Sequence, residues 1–295
     1  MQALYEVPAP AKLNLFLHVI GQRPDGYHLL QSVFVLIDWC DTLHFERRSD
    51  GHLRRHDLCE ALPADDLCLR AARALKQASG TTLGANIAIA KVVPWGAGLG
   101  GGSSDAASTL LALNRLWGLN WPRDRLMPLA LALGADVPFF VGGHNAFVEG
   151  IGEQLTPIPV TPASFAVVKP RASITTPSIF RSPMLRRDSD AVIVTSFLAD
   201  TQLQRRLSAG FGCNDLQPPA ENLCPEVTQV ARWLAARFGN SRMSGSGSAV
   251  FSRAGTGDQP GATWDGSDLL RDLPPHWVGR LCRSLQHHPL VGWAD

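Results

Sequence analysis

The chain has 295 residues, of which 45% are hydrophobic and 18% charged, as expected of a globular protein with one large or two smaller domains. Its formal net charge of +1 excludes a general electrostatic attraction to nucleic acid or to an anionic membrane surface. An anionic ligand must therefore be held by local groups. We expect neither nucleic acid nor a membrane as a partner, and a monomer or a weak homodimer.

The six cysteines form no C-x-x-C pair, and no basic start followed by an apolar core opens the chain. This pattern is typical of reduced thiols in a cytoplasmic protein.

In chain order, the first regular pattern is an alternation over residues 11–20, which predicts a strand with Lys12 and Asn14 on the same face. A turn at Pro24-Asp25-Gly26 leads into a second apolar strand. Apolar spacing then predicts helices over 65–79, 103–118 and 123–134, and a strand over 87–93.

Three prolines, Pro157, Pro159 and Pro162, mark a boundary between a first domain of residues 1–156 and a second of residues 157–295. Strands and helices are mixed without regular alternation, which favours the α+β fold class over a doubly wound α/β fold.

The segment from Pro94 to Asp105, PWGAGLGGGSSD, carries five glycines between a predicted strand and a predicted helix. Free backbone N–H groups at such a helix start bind anions, most often phosphate. The string also satisfies G-x-G-x-x-G, but the second strand that a dinucleotide fold requires does not follow. The Lys-Ser/Thr of a P-loop is missing as well. We therefore interpret the segment as a phosphate-binding loop of another kind.

Asp136 lies between apolar flanks, in GADVP, so its charge needs a specific partner. Lys12, one of four lysines in the chain, is the leading choice. A lysine–aspartate pair beside a phosphate loop suits phosphoryl transfer, where positioning and charge stabilisation do most of the catalysis. The alternative is that Asp136 is a helix-end or turn residue.

Three segments, in order, resemble the signatures of the GHMP kinases: PAKLNLFLHV near the start, PWGAGLGGGSSDAA in the middle and MSGSGSAVF towards the end. The resemblance covers about residues 8–252. Within the family, AKLNLFLHVIGQRPDGYHLLQSVF and GADVPFFVGG are most similar to the branch that phosphorylates a cytidine diphosphate ester of methylerythritol, in the non-mevalonate route to isoprenoid precursors. It implies a two-domain α+β fold with the active site in the cleft between the domains.

The resemblance also implies two cofactors, ATP and Mg²⁺, and two catalytic residues. Asp136 would accept or orient the proton of the substrate hydroxyl, and Lys12 would hold Asp136 ionised and stabilise the moving phosphoryl group. Lys91 and Asp66 match positions that contact the adenosine part, and Ser104, or its neighbour Ser103, would lie near Mg²⁺. The residues that would cradle the ATP phosphates are Pro94, Trp95, Gly96, Ala97, Gly98, Leu99, Gly100, Gly101, Gly102, Ser103 and Ser104.

On the substrate side, the resemblance assigns Asn14, Tyr27, His28 and Phe180 to a small molecule that carries cytidine diphosphate. Tyr27 and Phe180 would stack on the two faces of the cytosine ring, and His28 would read its edge. For residues 254–295 the resemblance is weaker, and the final segment is expected to pack back on the first domain.

Two alternatives stay open. The chain could be another GHMP kinase, acting on homoserine, mevalonate or a sugar, or a non-catalytic nucleotide-binding member of the fold. The Tyr27-His28 turn together with Phe180 favours a nucleotide-bearing substrate, because only such a substrate needs an aromatic clamp. Retention of both Lys12 and Asp136 argues against a non-catalytic protein.

Overall fold

Two long antiparallel strands, β1 (Ala3–Gln22) and β2 (His28–Arg48), form the centre of the first half of the chain. In this computed structural model, residues 1–200, 202–254 and 272–295 are described. Both strands extend beyond the apolar runs that predict them, because β2 supplies partners along its whole length. It pairs with β4 (Gly84–Ala90) through its second part and with β5 (Ala146–Glu149) through its first part.

The first sheet is completed by β3 (Leu53–Asp57), which runs parallel to β4, and by β6 (Gln154–Pro157) next to β5. The helices of this half are α1 (Leu67–Ser79), α2 (Gly101–Leu116), α3 (Arg123–Leu133) and α4 (Val137–Gly142). The strands of the sheet pack against a layer that contains the buried helix α2.

Helix α2 begins at Gly101, two residues before the predicted start. The preceding residue, Gly100, is in the left-handed region at φ 71°, which glycine adopts without the steric cost of a Cβ. The last glycines of the loop therefore form the first turn of the helix.

A second sheet is formed by β7 (Ser164–Lys169), β8 (Arg242–Met243), β9 (Val250–Arg253) and β10 (Val278–Arg283). Its strand order is β10-β7-β9-β8. The helices of this half are α5 (Thr176–Phe180), α6 (Val194–Ala199), α7 (Leu203–Ser208), α8 (Gln217–Leu223) and α9 (Pro225–Phe238). Helix α9 packs on the sheet through Val227, Val230 and Leu234.

The final segment, after β10, runs back along the first half of the chain. The backbone N–H of Leu285 donates to Leu36 O, and that of His288 donates to Gly143 O, both at 2.8 Å. Leu290 and Ala294 join the core beneath α2 and α3. The division at residue 157 stays a prediction. Most of the 254–295 tail before β10 falls on residues 255–271, outside the described ranges.

The α+β fold class is confirmed. Among the described residues, no helix is long and apolar enough to cross a bilayer.

Candidate active site

A cleft of about 1050 Å³ is lined by residues from both halves of the chain. The glycine loop and the start of α2 form one part of its wall. Lys12 and Asn14 on β1, Asp136 before α4, and the Tyr27-His28 turn line other parts, and Phe180 at the end of α5 comes from the second half. The structure thus brings residues from distant parts of the sequence to one cavity.

The glycine loop is held against a second small-residue loop, residues 244–247. The backbone N–H groups of Ser248 and Ala249 donate to Gly96 O and Ala97 O, both at 3.1 Å. Gly98 has a φ of +72°, and a Cβ placed on it would lie 2.0 Å from Ser244 O. Glycine is therefore required here twice, by its backbone conformation and by the close approach of another backbone.

At the end of this loop, Gly101, Gly102 and Ser103 line the cleft with the first turn of α2. The first N–H groups of a helix have no intrahelical partner, and the helix dipole adds partial positive charge there. No side chain caps this helix. This wall of the cleft is therefore suited to phosphate.

Lys12 and Asp136 meet in the cleft, with 3.5 Å between Lys12 Nζ and Asp136 Oδ2. The lysine side chain is 3% exposed and the aspartate 32%, so Asp136 is less enclosed than its apolar flanks predict. Burial lowers the pKa of Lys12, and the charge of Asp136 offsets only part of this effect. The pair thus places a desolvated ammonium beside a carboxylate that solvent or a substrate hydroxyl can reach.

Asn14 positions the lysine. Lys12 Nζ donates to Asn14 Oδ1 at 2.5 Å and lies 4.5 Å from the centre of the Phe34 ring. Asn14 Nδ2 in turn donates to Ser32 Oγ at 3.0 Å. Asn14 and Lys12 share a face of β1, as the alternation predicts. Both are buried, because the strand has packing partners on both faces.

Lys91 is held by two carboxylates, those of Asp41 on β2 and Asp105 on α2. Asp41 also accepts the backbone N–H groups of Val92 and Val93, at 2.6 and 2.7 Å, where the chain enters the glycine loop. Burial opposes the charge on Lys91, but Asp105 and Asp41 outweigh it and raise its pKa. Burial raises the pKa of Asp105 to about 8. Lys91 lines the cleft and at the same time ties the loop to the sheet and to α2.

The structure assigns Asp66 contacts within the protein. Its carboxylate accepts the N–H of Leu69 at 3.1 Å, as the N-cap of α1, and pairs with Arg55 Nη1 at 2.7 Å. The side chain also lines the cleft. A contact with the adenosine part of ATP stays a prediction.

Ser103 and Ser104 differ sharply in their surroundings. Ser103 lines the cleft, whereas Ser104 is 0% exposed and its Oγ has no hydrogen-bond partner among the described residues. Successive residues of a helix point about 100° apart, so when one serine faces the cleft its neighbour faces the core. In this conformation Ser103, and not Ser104, presents its hydroxyl to the cleft.

At another part of the cleft, His28 stacks on Phe180, with ring centres 4.8 Å apart and an angle of 26° between the planes. Tyr27 is 59% exposed beside them. Arg187 Nε donates to His28 Nε2 at 3.1 Å. Burial and the charge of Arg187 lower the pKa of His28. The three aromatic side chains predicted for the substrate therefore line one cavity.

Several contributors to the site escape the sequence patterns. Ser32, Asp41 and Arg187 each hold a predicted residue in place through a side-chain hydrogen bond from another element. The second loop, MSGSGSAVF, provides the backbone that packs on Gly98. In the sequence, the small residues of this loop are the pattern that indicates a close approach between the two backbones.

Known proteins resemble the chain over its full length. Residues 66–144 match the model of the family "GHMP kinases N terminal domain", and residues 196–262 match the model of "GHMP kinases C terminal". The 4-diphosphocytidyl-2-C-methyl-D-erythritol kinase of Methylibium petroleiphilum is 63% identical over 294 residues, covering 100% of this chain and 99% of that protein. The chain belongs to the GHMP kinases. A relative of the same name from Albidiferax ferrireducens is 56% identical over 100% of this chain and 96% of its own.

Solved GHMP kinase structures share the fold. The crystal structure of a 4-(cytidine 5'-diphospho)-2C-methyl-D-erythritol kinase superposes with a TM-score of 0.77 at 34% identity, over 95% of this chain and 98% of that chain. A homoserine kinase from Cytophaga hutchinsonii superposes with a TM-score of 0.70 at 16% identity, over 98% of this chain and 96% of its own, a likeness of fold alone.

Proposed function

We propose that this GHMP kinase transfers the γ-phosphoryl group of ATP to the 2-hydroxyl of 4-diphosphocytidyl-2-C-methyl-D-erythritol, in the non-mevalonate route to isoprenoid precursors. The observation that carries the proposal is one cleft that contains a phosphate-binding helix start, the Lys12–Asp136 pair and a group of aromatic side chains. Relatives at 63% and 56% identity over the whole chain carry the name of this kinase.

The first step is binding. The backbone N–H groups at the start of α2 hold the phosphates, and the tight packing of Gly98 on the second loop keeps the cradle in shape. At the other part of the cleft, Tyr27 and Phe180 stack on the pyrimidine and His28 reads its edge. The two ligands are thereby oriented towards Lys12 and Asp136.

In the transfer itself, Asp136 accepts or orients the proton of the attacking hydroxyl, for which it is accessible. Lys12 is buried and fixed by Asn14, so its ammonium form stabilises negative charge on the moving phosphoryl group without reorganisation. The same ammonium lies 3.5 Å from Asp136 Oδ2, so Lys12 contacts the carboxylate as well as the position of the moving phosphoryl group.

Within the described ranges, no three histidine, cysteine, aspartate or glutamate side chains could together hold a metal ion. This fits Mg²⁺ that arrives with ATP, because magnesium keeps several waters and is bound through one or two protein oxygens and the substrate phosphates. Ser103 lines the cleft at the start of α2, and its hydroxyl would hold the ion. When bound, the ion neutralises charge on the phosphates.

The six cysteines are all free, at Cys40, Cys59, Cys68, Cys213, Cys224 and Cys282, which supports a reducing, cytoplasmic location. We further propose that the protein is a monomer or a weak homodimer, which light scattering of the purified protein would test.

The test is ADP formation by the purified protein with ATP and 4-diphosphocytidyl-2-C-methyl-D-erythritol, compared with mevalonate and homoserine at equal concentrations. Phosphorus NMR of the product identifies the phosphorylated hydroxyl. We expect turnover of the cytidine compound alone. Equal or faster turnover of mevalonate or homoserine would overturn the proposed substrate, and ADP formation with none of them would overturn the assignment as a kinase of these substrates.

A further inference from the structure

Arg187 links the segment after α5 to the Tyr27-His28 turn. Its Nε donates to His28 Nε2 at 3.1 Å, although the two residues lie 159 positions apart in the chain. Both side chains line the cleft. The contact therefore lies where the proposed pyrimidine is read.

The guanidinium of Arg187 is fixed from behind by backbone carbonyls. Nη2 donates to Phe180 O at 2.8 Å and to Ser182 O at 3.2 Å, and Nη1 donates to Leu185 O at 3.1 Å. Leu185 is itself buried in the core of the second half. Since all three nitrogens are engaged, the guanidinium cannot rotate without losing several hydrogen bonds at once.

A guanidinium only donates hydrogen bonds and stays protonated in proteins, so His28 Nε2 must be the accepting, unprotonated nitrogen. In the neutral ring, Nδ1 then carries the proton. Stacking on Phe180 holds the plane of the ring. His28 can therefore offer the cleft a donor, and its acceptor is already occupied.

A His28 ring that can only donate a hydrogen bond to the cleft distinguishes cytosine from uracil. On the Watson–Crick edge, cytosine presents the acceptors N3 and O2, whereas N3 of uracil carries a proton and donates. A donor facing N3–H leaves both groups unpaired, and a buried unpaired group is costly. We propose that Arg187 is a positioning residue that holds His28 in its Nδ1–H form and thereby makes the enzyme prefer cytosine over uracil. This inference rests on the proposed function.

The tautomer is measured directly on the free, unaltered protein. Two-dimensional ¹H–¹⁵N NMR of the histidine rings distinguishes a protonated from an unprotonated nitrogen, and a His28→Gln sample assigns the His28 signals. We expect Nδ1 protonated and Nε2 unprotonated at pH 7.5. The opposite tautomer, or a doubly protonated ring, overturns the proposal without any variant of Arg187.

The effect on specificity is measured with Arg187→Met, using the substrate and its uridine analogue. In the variant His28 is free to exchange tautomers, so the cytidine-to-uridine ratio of kcat/KM should fall about tenfold, the usual size of one unpaired hydrogen-bonding group. The loss should fall mainly on KM for the cytidine compound. The matched control is Arg186→Met, since Arg186 is 59% exposed and pairs with the exposed Asp188; its ratio should not change.

Equal losses for both pyrimidines in Arg187→Met would mean that Arg187 only supports the loop, and would overturn the specificity role. A ratio near one in the unaltered enzyme would overturn it as well. If the unaltered protein phosphorylates neither compound, the proposed function fails, and the NMR measurement still decides whether Arg187 sets the tautomer.

Discussion

Replacing Asp136 with asparagine keeps the size of the side chain and removes its charge and its ability to take up a proton. Lys12 stays near its other contacts, Asn14 Oδ1 at 2.5 Å and the Phe34 ring at 4.5 Å. Asp136 is one-third exposed and its backbone lies just before α4, so the fold has little reason to change. The variant therefore tests chemistry more than stability.

The magnitude follows from what is lost. A positioned general base contributes about 10²–10⁴-fold to the rate. Removing Asp136 also takes away the charge that raises the pKa of Lys12 against the effect of burial, so less of the lysine is charged. We expect kcat to fall by about 10³–10⁴-fold, equivalent to about 4–5.5 kcal/mol of transition-state stabilisation. The helix start that we propose to hold the phosphates is untouched, so the affinity for ATP should change by less than about threefold, the effect of roughly half a kcal/mol.

The assay is steady-state ADP formation at saturating ATP and cytidine substrate, with calorimetry of ATP binding to the same preparation. Asp124→Asn is the control, because Asp124 is an exposed aspartate at the start of the neighbouring helix α3. Its kcat should equal that of the unaltered protein. A kcat for Asp136→Asn within tenfold of the unaltered value would refute the assigned role. Loss of ATP binding along with kcat would instead point to a structural role.

Three further outcomes follow from the geometry. Gly98→Ala should lower the free energy of unfolding by about 2 kcal/mol or more, because the left-handed backbone costs about 1–2 kcal/mol and the Cβ would lie 2.0 Å from Ser244 O. Gly118→Ala is the control for urea unfolding: at φ +70° with nothing within 4 Å, it should show the conformational cost alone. Burial lowers the pKa of Lys12, so kcat should fall as the pH rises through a value below the usual lysine range near 10.4, and an alkaline limb at or above that range contradicts the buried ammonium. Burial raises the pKa of Asp105 to about 8 in the folded protein, above the value in the unfolded chain. Protonated Asp105 therefore contributes to the free energy of unfolding at acidic pH, and this contribution is lost as the pH rises through about 8. Calorimetric Tm values from pH 5 to 9 should depend less on pH in Asp105→Asn, and an unchanged pH profile would count against the raised pKa.

Much of the site could be predicted because its signals are local. Period-two alternation placed Lys12 and Asn14 on one face of a strand, and the glycine-rich run between a strand and a helix indicated a phosphate cradle. Each inference depends on a few consecutive residues whose backbone geometry is set by their own chemistry. The family resemblance added the aromatic side chains, which then proved to line one cleft.

Local patterns could not decide the orientation of the serines after the loop. Ser103 and Ser104 are equivalent in the sequence, and their directions depend on how α2 is rotated against the sheet. Local patterns could not predict the contact between Arg187 and His28 either, because it joins residues 159 positions apart. Such contacts depend on register and packing, which no short pattern encodes.

By itself, the sequence determined a glycine-rich helix start that is suited to an anion, since free N–H groups and the helix dipole belong to any such segment. Only the tertiary structure decided how each charge near it is satisfied. It placed Lys12 beside Asp136 and enclosed Lys91 between Asp41 and Asp105. The physical reason is that charge–charge energies depend on distance and burial, and both quantities exist only once the strands and helices have packed.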